Sequence, residues 1–249
     1  MKLNRQGTVR LENLHRRIEA WLPPPEQLPP LPKKLLLIRP TVRGDAFTAF
    51  AWRWAEDVKT RALAEGWEVE DLGGAHATRA RVEEALSRVA VQRPRLVMHY
   101  DHGSELTLYG HSPRRGRQSI EDLVPVIDET NIELTAGMFV SAVACYSAAQ
   151  LGPLAMRSRA SGYLGYSDAL VTGWWRPTEQ YGAAINAPNY ALLEGRSPQE
   201  AFAAGLRAWE RLEAQLFQVA RERGANRPDA RMAGLWARWN RDALTLLVP

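Results

Sequence analysis

The residues best suited to chemistry are a histidine and the chain's single cysteine. His102 and Gly103 come just after an apolar run that ends at Tyr100, and Cys145 directly follows a second apolar run. Short apolar runs of this kind indicate buried strands. In an open α/β sheet, ligands bind beyond the carboxyl ends of the strands. If the two strands are neighbours, a thiol and an imidazole meet there and can act as a nucleophile and its base.

The residues around this pair favour the same chemistry. Gly103 allows a tight turn, and the backbone N–H groups of Gly103 and Cys145 could form an oxyanion hole. Ser147 and the two alanines after it predict the start of a helix, whose positive end would favour a thiolate. Together these groups would suit a thiol that attacks a bound carbonyl carbon.

Strand and helix patterns alternate along the chain from Lys34 onward. The predicted strands cover residues 35–38, 67–72, 95–100, 138–144 and 161–166. The predicted helices cover residues 45–65, 148–156, 197–224 and 229–246, with another from Thr78 to a stop at Pro94. Ser119 and Asp122 predict a further helix that Pro125 interrupts. The polar segment 103–118 predicts a hairpin or an ordered loop.

This alternation predicts an α/β fold with an open, mostly parallel sheet and helices on both faces. Three regions are expected: an N-terminal helical arm over residues 1–22, a proline-rich linker over 23–32, and a main domain over 33–249 that ends in a helical extension. The arm is short, so it is expected to pack on its own domain or to dock a partner protein.

The His102-Gly103 and Ala144-Cys145 pairs, each after its own strand, resemble the caspase-like cysteine peptidases. The residues after Ala144 and the segment 190–201 are more similar to the gingipain and CHAT-domain branch. The resemblance implies a caspase-like fold and a cysteine endopeptidase in which Cys145 attacks and His102 carries the proton. It implies no cofactor, although some members of the group require calcium. Asp101 and Val143 depart from metacaspase and caspase patterns respectively, so cleavage after aspartate is not expected.

Several of these peptidases cut after arginine or lysine, using an acidic residue in the specificity pocket. Asp168, just past the fifth predicted strand, is the best-placed residue for this role, and Trp174 could wall the pocket. An Arg-rich segment, 114–117, could then be a site of self-cleavage or simply a solvated run of charge. The expected substrate is a protein or peptide.

Two other functions fit parts of the sequence. His99, Asp101, His102, Glu105 and His111 lie close together and could bind a metal in a metal-dependent hydrolase. However, strand alternation puts His99 and Asp101 on one face and His102 on the other. A caspase-like scaffold or signalling module without turnover would keep the fold and leave Cys145 as a small buried side chain.

Composition limits the remaining classes of function. The chain has 249 residues, 45% of them hydrophobic and 24% charged, with a net charge of +4. This composition is typical of a globular protein. A function in binding nucleic acid has only the scattered positive charge in its favour. One cysteine cannot form an internal disulfide, which suits a reducing compartment. With neither a signal-like nor a membrane-spanning apolar stretch, the chain is expected to be cytoplasmic and not membrane-bound.

Overall fold

The centre of the fold is an open sheet, and helices pack on both of its faces. The computed structural model describes residues 33–42, 44–90, 92–111, 122–172, 178–222 and 228–249. Within these residues the sheet has six strands in the order β2-β1-β3-β6-β7-β8. These strands are β1 (Lys34–Arg39), β2 (Glu68–Gly73), β3 (Leu96–Tyr100), β6 (Phe139–Val143), β7 (Gly162–Tyr166) and β8 (Leu244–Leu247). The first five run parallel, and β8 pairs antiparallel with β7.

Helices connect and cover these strands. They are α1 (Ala46–Ala64), α2 (Arg79–Leu86), α3 (Leu151–Arg157), α4 (Thr178–Leu193), α5 (Pro198–Glu222) and α6 (Pro228–Ala243). Short 3₁₀ helices cover Gly74–His76 and Ile132–Thr135. A second, two-stranded antiparallel sheet joins β4 (Thr107–Gly110) to β5 (Val124–Asp128).

The parallel strands β1, β3, β6 and β7 are buried on both faces, which explains their largely apolar runs, whereas the edge strand β2 is only partly buried. Leu35, Leu37 and Met98 face one core, which α1, α4, α5 and α6 cover. Leu36, Ile38 and Val97 face a second core, which α2, α3 and the β4–β5 sheet cover. The predicted α/β class, with an open, mostly parallel sheet and helices on both faces, is therefore confirmed.

Buried polar contacts fix two helices that matter for the site. Asp45 caps α1 by accepting the Phe47 N–H at 2.7 Å, so the helix begins directly after the loop that follows β1. The Tyr100 hydroxyl at the end of β3 donates to the Asn186 side chain at 2.8 Å and accepts from Asn189 at 2.6 Å. Both asparagines lie on α4, so this helix is tied to the end of the strand that precedes His102.

Two predicted elements are wrong. The segment expected to be a Pro-interrupted helix contains β5, because Val124, Val126 and Ile127 favour a strand and Pro125 lies where the register with β4 shifts. The last helix ends at Ala243 instead of Leu246, because Leu244–Leu247 pairs with β7 as an edge strand.

Other boundaries differ less. The second helix ends at Leu86, well before Pro94, and Val89 beyond it is exposed. The predicted helix start at Ser197 is confirmed by a capping box, in which the Ser197 N–H donates to the Glu200 carboxylate at 2.9 Å and the Glu200 N–H donates to the Ser197 hydroxyl at 3.3 Å. The predicted N-terminal arm and proline-rich linker lie outside the described residues, as does the Arg-rich segment 114–117. Among the described helices, none combines the length and apolar character needed to cross a bilayer.

Candidate active site

His102 and Cys145 follow neighbouring strands at matching positions. The parallel register of β3 and β6 pairs Tyr100 with Val143, and the Asp101 N–H continues the ladder by donating to the Val143 carbonyl at 3.3 Å. Each of the two residues lies two positions beyond that pair. Neighbouring strands are about 4.8 Å apart, so both side chains leave the same edge of the sheet. The two strands are therefore neighbours, as the predicted site requires.

Gly103 lies against the turn that carries the thiol. A Cβ atom at Gly103 would lie 2.8 Å from the Ala144 Cβ and 2.9 Å from the Cys145 carbonyl oxygen. Only glycine fits this approach without displacing the backbone. Gly103 forms an antiparallel bridge with Leu108, so the start of β4 holds it in place. The glycine after His102 therefore keeps the two strand ends close together.

The N–H groups of Gly103 and Cys145 are both available. In the bridge at Gly103, the hydrogen bonds run from the neighbouring Ser104 N–H to the Thr107 carbonyl and from the Tyr109 N–H to the His102 carbonyl. Among the described residues, neither N–H donates to an acceptor of another residue, and the Cys145 N–H interacts only with its own thiol. Two such groups at adjacent strand ends are suited to binding an oxygen that develops negative charge.

The thiol of Cys145 is partly buried and contacts the loop after β7. The Leu170 N–H donates to Sγ at 3.3 Å, and Sγ lies 3.9 Å from the Leu170 carbonyl oxygen. Burial raises the pKa of the thiol, the Leu170 N–H lowers it, and the charge of Asp168 raises it. The net effect is a raised pKa, so this group is a thiol at neutral pH.

The turn after Cys145 is not the helix start that the sequence predicts. Residues 144–150 form a bend and turns, and α3 begins only at Leu151. Tyr146 instead adopts a φ of 56°, a left-handed conformation that costs a non-glycine residue energy. The Ser147 hydroxyl fixes this turn by donating to the Ala144 carbonyl at 2.9 Å and accepting the Tyr166 N–H at 3.2 Å. The helix that follows Cys145 therefore does not begin beside the thiol, as the sequence predicts.

The imidazole of His102 is bound to a carboxylate that the sequence did not single out. Nε2 of His102 is hydrogen-bonded to Oδ2 of Asp45, and the ring packs on Phe47 with 5.3 Å between ring centroids. Burial alone would lower the pKa of His102, but the bond to Asp45 and the charges of Asp101 and Asp45 outweigh it and raise the pKa. The same pairing lowers the pKa of Asp45 despite its burial.

Asp45 could have been identified from its place in the sequence. The helix after the first strand is predicted to begin at Asp45, and a helix that follows a parallel strand begins at the carboxyl edge of the sheet. β1 is the neighbour of β3, so Asp45 reaches His102 from the adjacent strand end. One side chain thus caps α1 and orients the imidazole.

A second carboxyl group next to His102 is that of Asp101, which is fully buried. Its Oδ1 accepts the Thr48 hydroxyl at 2.8 Å, whereas Oδ2 has no hydrogen-bond partner among the described residues. Burial raises the pKa of Asp101 to about 7, although the charge of His102 opposes the rise. Asp101 therefore titrates far above the acidic range of an ordinary aspartate.

The residues of the metal hypothesis are not brought together. His99 is buried on the side of β4, where its Nε2–H donates to the Tyr109 carbonyl at 2.7 Å, and burial lowers its pKa to about 4. Asp101 instead contacts Thr48 near the start of α1, because strand alternation ends with β3 at Tyr100. In the described part of the chain, no three His, Cys, Asp or Glu side chains could hold a metal ion.

Asp168 lies next to the turn that carries Cys145. Its carbonyl oxygen accepts the Tyr146 N–H at 3.0 Å, and its carboxylate accepts the N–H of Ala169 at 2.7 Å. The negative charge of Asp168 raises the pKa of Tyr146. Trp174, the other predicted pocket residue, lies outside the described residues.

The thiol and the imidazole do not hydrogen-bond to each other. Cys145 Sγ contacts the backbone of Leu170, and the hydrogen bond of the His102 ring is to Asp45. Catalytic hydrogen bonds are often absent before substrate binds, so this geometry is compatible with a nucleophile and a proton carrier on either side of a substrate carbonyl.

No protein-family model matches the chain, and no curated protein matches it. Among solved structures, it is similar to a secreted C11 cysteine protease from Bacteroides thetaiotaomicron in complex with an irreversible peptide inhibitor. The two share 14% sequence identity with a TM-score of 0.38, over 69% of this chain and 59% of that chain. This chain therefore matches less than two thirds of the length of that protein.

Proposed function

We propose that this protein is a cysteine endopeptidase in which Cys145 is the nucleophile and His102 is the proton carrier. The observation that carries the proposal is the register of β3 and β6, which brings the two residues to the same sheet edge as neighbours. Two N–H groups that bind no other residue, and an imidazole bound to a carboxylate, accompany them. Acyl transfer through a thiol uses all of these parts.

The first step forms a bond between Cys145 Sγ and the peptide carbonyl carbon. The thiol proton passes to the neutral fraction of His102, and the carbonyl electron pair moves onto oxygen. The N–H groups of Gly103 and Cys145 hold this oxyanion, and each donor of this kind contributes about 3 kcal/mol to the barrier reduction. The Leu170 N–H, 3.3 Å from Sγ, favours the ionised sulfur during the attack.

In the second step the C–N bond breaks and His102 donates its proton to the leaving amine. Asp45 makes this imidazolium easier to form, since a charged partner favours the protonated ring. Water then loses a proton to His102 and attacks the thioester, and the C–S bond breaks to release the acid and restore the thiol. Asp45 is a positioning residue, because it binds His102 and the start of α1 and acts on the reacting atoms only through His102.

Asp168 supports a preference for arginine or lysine before the cleaved bond. Its negative charge is close enough to raise the pKa values of both Cys145 and Tyr146. A cationic side chain bound at this point would lie beside the attacking sulfur and would neutralise the carboxylate. The same change would lower the pKa of the thiol, so the preferred substrate would help to activate its own nucleophile.

The alternative is a catalytically inactive module of the same fold, and one observation favours it. The Cys145 thiol has a raised pKa and makes no hydrogen bond with His102. A permanently protonated, partly buried cysteine would serve only as a packing side chain. The two functions differ in whether Cys145 reacts with a peptide.

The test is cleavage of a mixed peptide library by the wild-type chain and by the Cys145→Ala and His102→Ala variants, with product termini read by mass spectrometry. Cleavage after arginine or lysine by the wild type alone is the expected result. Ser161→Ala is a matched control, because this exposed serine lies at the opposite edge of the sheet. Equal cleavage by the Cys145→Ala variant would rule out the proposed nucleophile, and absence of cleavage by folded wild type would favour the inactive module.

A further inference from the structure

The loop after β7, residues 167–171, is attached to α6 by a set of specific hydrogen bonds. The side-chain amide of Asn240 clamps one residue, because its Oδ1 accepts the Val171 N–H at 2.8 Å and its Nδ2 donates to the Val171 carbonyl at 2.7 Å. The Trp239 indole N–H donates to the Ala169 carbonyl at 2.9 Å. The N–H of Ser167 donates to the Ala243 carbonyl at 2.8 Å.

The other side of the same loop contacts the turn that carries the nucleophile. The Leu170 N–H reaches Cys145 Sγ at 3.3 Å, and the Asp168 carbonyl accepts the Tyr146 N–H at 3.0 Å. The loop therefore bridges α6 and Cys145, with the residues bound to each side alternating along it. If α6 moved, either the hydrogen bonds between the loop and α6 or those between the loop and residues 145–146 would have to lengthen or break.

We infer that α6 is a functional part of the candidate site, in which Asn240 and Trp239 are positioning residues that hold the 167–171 loop against Cys145 and Tyr146. The inference deepens the proposed function, because the loop carries the Asp168 carboxylate and the Leu170 N–H. It gives the C-terminal helix a role in substrate selection, although none of its residues touches the reacting atoms.

The burial of Asn240 separates this arrangement from ordinary surface contact. Its side chain is fully buried, with 0% of its surface exposed, and both amide atoms are satisfied by one loop residue. Removing the amide would leave the N–H and carbonyl of the half-buried Val171 without these two partners, which is unfavourable for polar groups that water reaches only in part. The loop would then lose two of the bonds that attach it to α6.

The test compares hydrogen–deuterium exchange in the wild-type chain, in Asn240→Leu and in Asn131→Leu. Asn131 is a matched control, since it is also buried, at 3% exposure, and its amide binds backbone groups of β5, a strand of the second sheet. Trp239→Phe is a milder second variant: it removes one donor from a half-exposed side chain and keeps the aromatic ring.

The informative amide is that of Tyr146, which contacts neither Asn240 nor Trp239. We expect it to exchange at least about fivefold faster in Asn240→Leu, the change that losing one hydrogen bond produces, and less in Trp239→Phe. Faster exchange confined to residues 167–171, or an equal effect at Tyr146 in Asn131→Leu, would overturn the inference.

Peptide cleavage supplies a second readout. In Asn240→Leu, the ratio of kcat/KM for an arginyl peptide to that for a neutral peptide should fall, because Asp168 moves with the loop. An unchanged ratio would also contradict the role of α6. If the wild type cleaves nothing, the proposed function fails, and the exchange at Tyr146 still decides whether α6 positions the loop.

Discussion

Replacing Asp45 with asparagine separates the two roles of that side chain. As the N-cap of α1, Asp45 accepts the Phe47 N–H, and asparagine caps helices about as well as aspartate. As the partner of His102, however, it supplies a negative charge that asparagine lacks. The Asp45→Asn variant should therefore fold normally and have an altered imidazole, whereas Asp45→Ala should also lose about 1 kcal/mol of helix capping.

The size of the effect on His102 follows from the burial of the pair. The side chains of His102 and Asp45 are only 13% and 22% exposed, so water screens their interaction little. A hydrogen bond to a charged group contributes about 1.5–3 kcal/mol. Since one pKa unit corresponds to about 1.4 kcal/mol, the pKa of His102 should fall by about one to two units in Asp45→Asn. Burial, which lowers the pKa of His102, would then be the largest remaining effect on it.

The effect on stability has a defined sign. The raised pKa of His102 contributes stability below its unfolded value of 6.5, and this is lost as pH rises through the folded pKa. The lowered pKa of Asp45 contributes stability above its unfolded value of 3.8, and this is lost as pH falls through the folded pKa. The pair therefore stabilises the fold most between these two values.

Two assays measure this prediction. NMR titration, with the His102 signal assigned by comparison with His102→Ala, should show the fall in pKa. Urea unfolding should show Asp45→Asn to be destabilised by about 1–2 kcal/mol more at pH 5.5 than at pH 9. A His102 pKa equal to that of the wild type, or a stability difference that does not change with pH, would refute the assignment of Asp45 as its partner.

Three further substitutions test other parts of the site. Gly103→Ala puts a Cβ atom 2.9 Å from the Cys145 carbonyl oxygen, so thermal or urea unfolding should show a loss of about 1–3 kcal/mol and peptide cleavage should fall; wild-type behaviour in both would contradict the close approach. Asp101→Asn removes a buried carboxyl group with a pKa of about 7, whose charged form disfavours the folded state as pH rises above the ordinary pKa of 3.8. The stability of the variant relative to wild type should therefore increase between pH 5 and pH 9 by about 3 kcal/mol, and a constant difference would show that Asp101 does not titrate there. Asp168→Asn should lower kcat/KM for arginyl peptides by about tenfold to a hundredfold and change neutral peptides little, and an equal loss for both would remove Asp168 from substrate selection.

The parallel sheet could be predicted because its strands carry continuous apolar runs. Leu35 to Ile38 are all buried, and the same pattern made the strands before His102 and Cys145 recognisable. Strand ends also located the candidate site, because they share one edge of the sheet. The β4–β5 sheet was missed since Pro125, which argues against a strand interior, occupies an irregular position of a two-stranded ladder.

The contacts that tune the site could not be predicted in the same way. Asp45 reaches His102 through the loop after β1, and Leu170 reaches Cys145 through a backbone N–H that any residue type would supply. Asn240 lies on α6, which begins at Pro228, far along the sequence from both His102 and Cys145. Periodicity reports which face of an element is buried, but it carries no information on which loops from different elements meet.

Covalent labelling shows whether Cys145 is a nucleophile that depends on His102. An arginyl acyloxymethyl ketone reacts when a thiolate displaces its carboxylate, with a C–S bond formed and a C–O bond broken. Because the chain has one cysteine, mass spectrometry of the intact protein reports its modification without ambiguity. We expect one label on the wild type, none on Cys145→Ala and a much slower reaction for His102→Ala. Labelling that persists in Cys145→Ala, or that proceeds at the wild-type rate in His102→Ala, would contradict the claim.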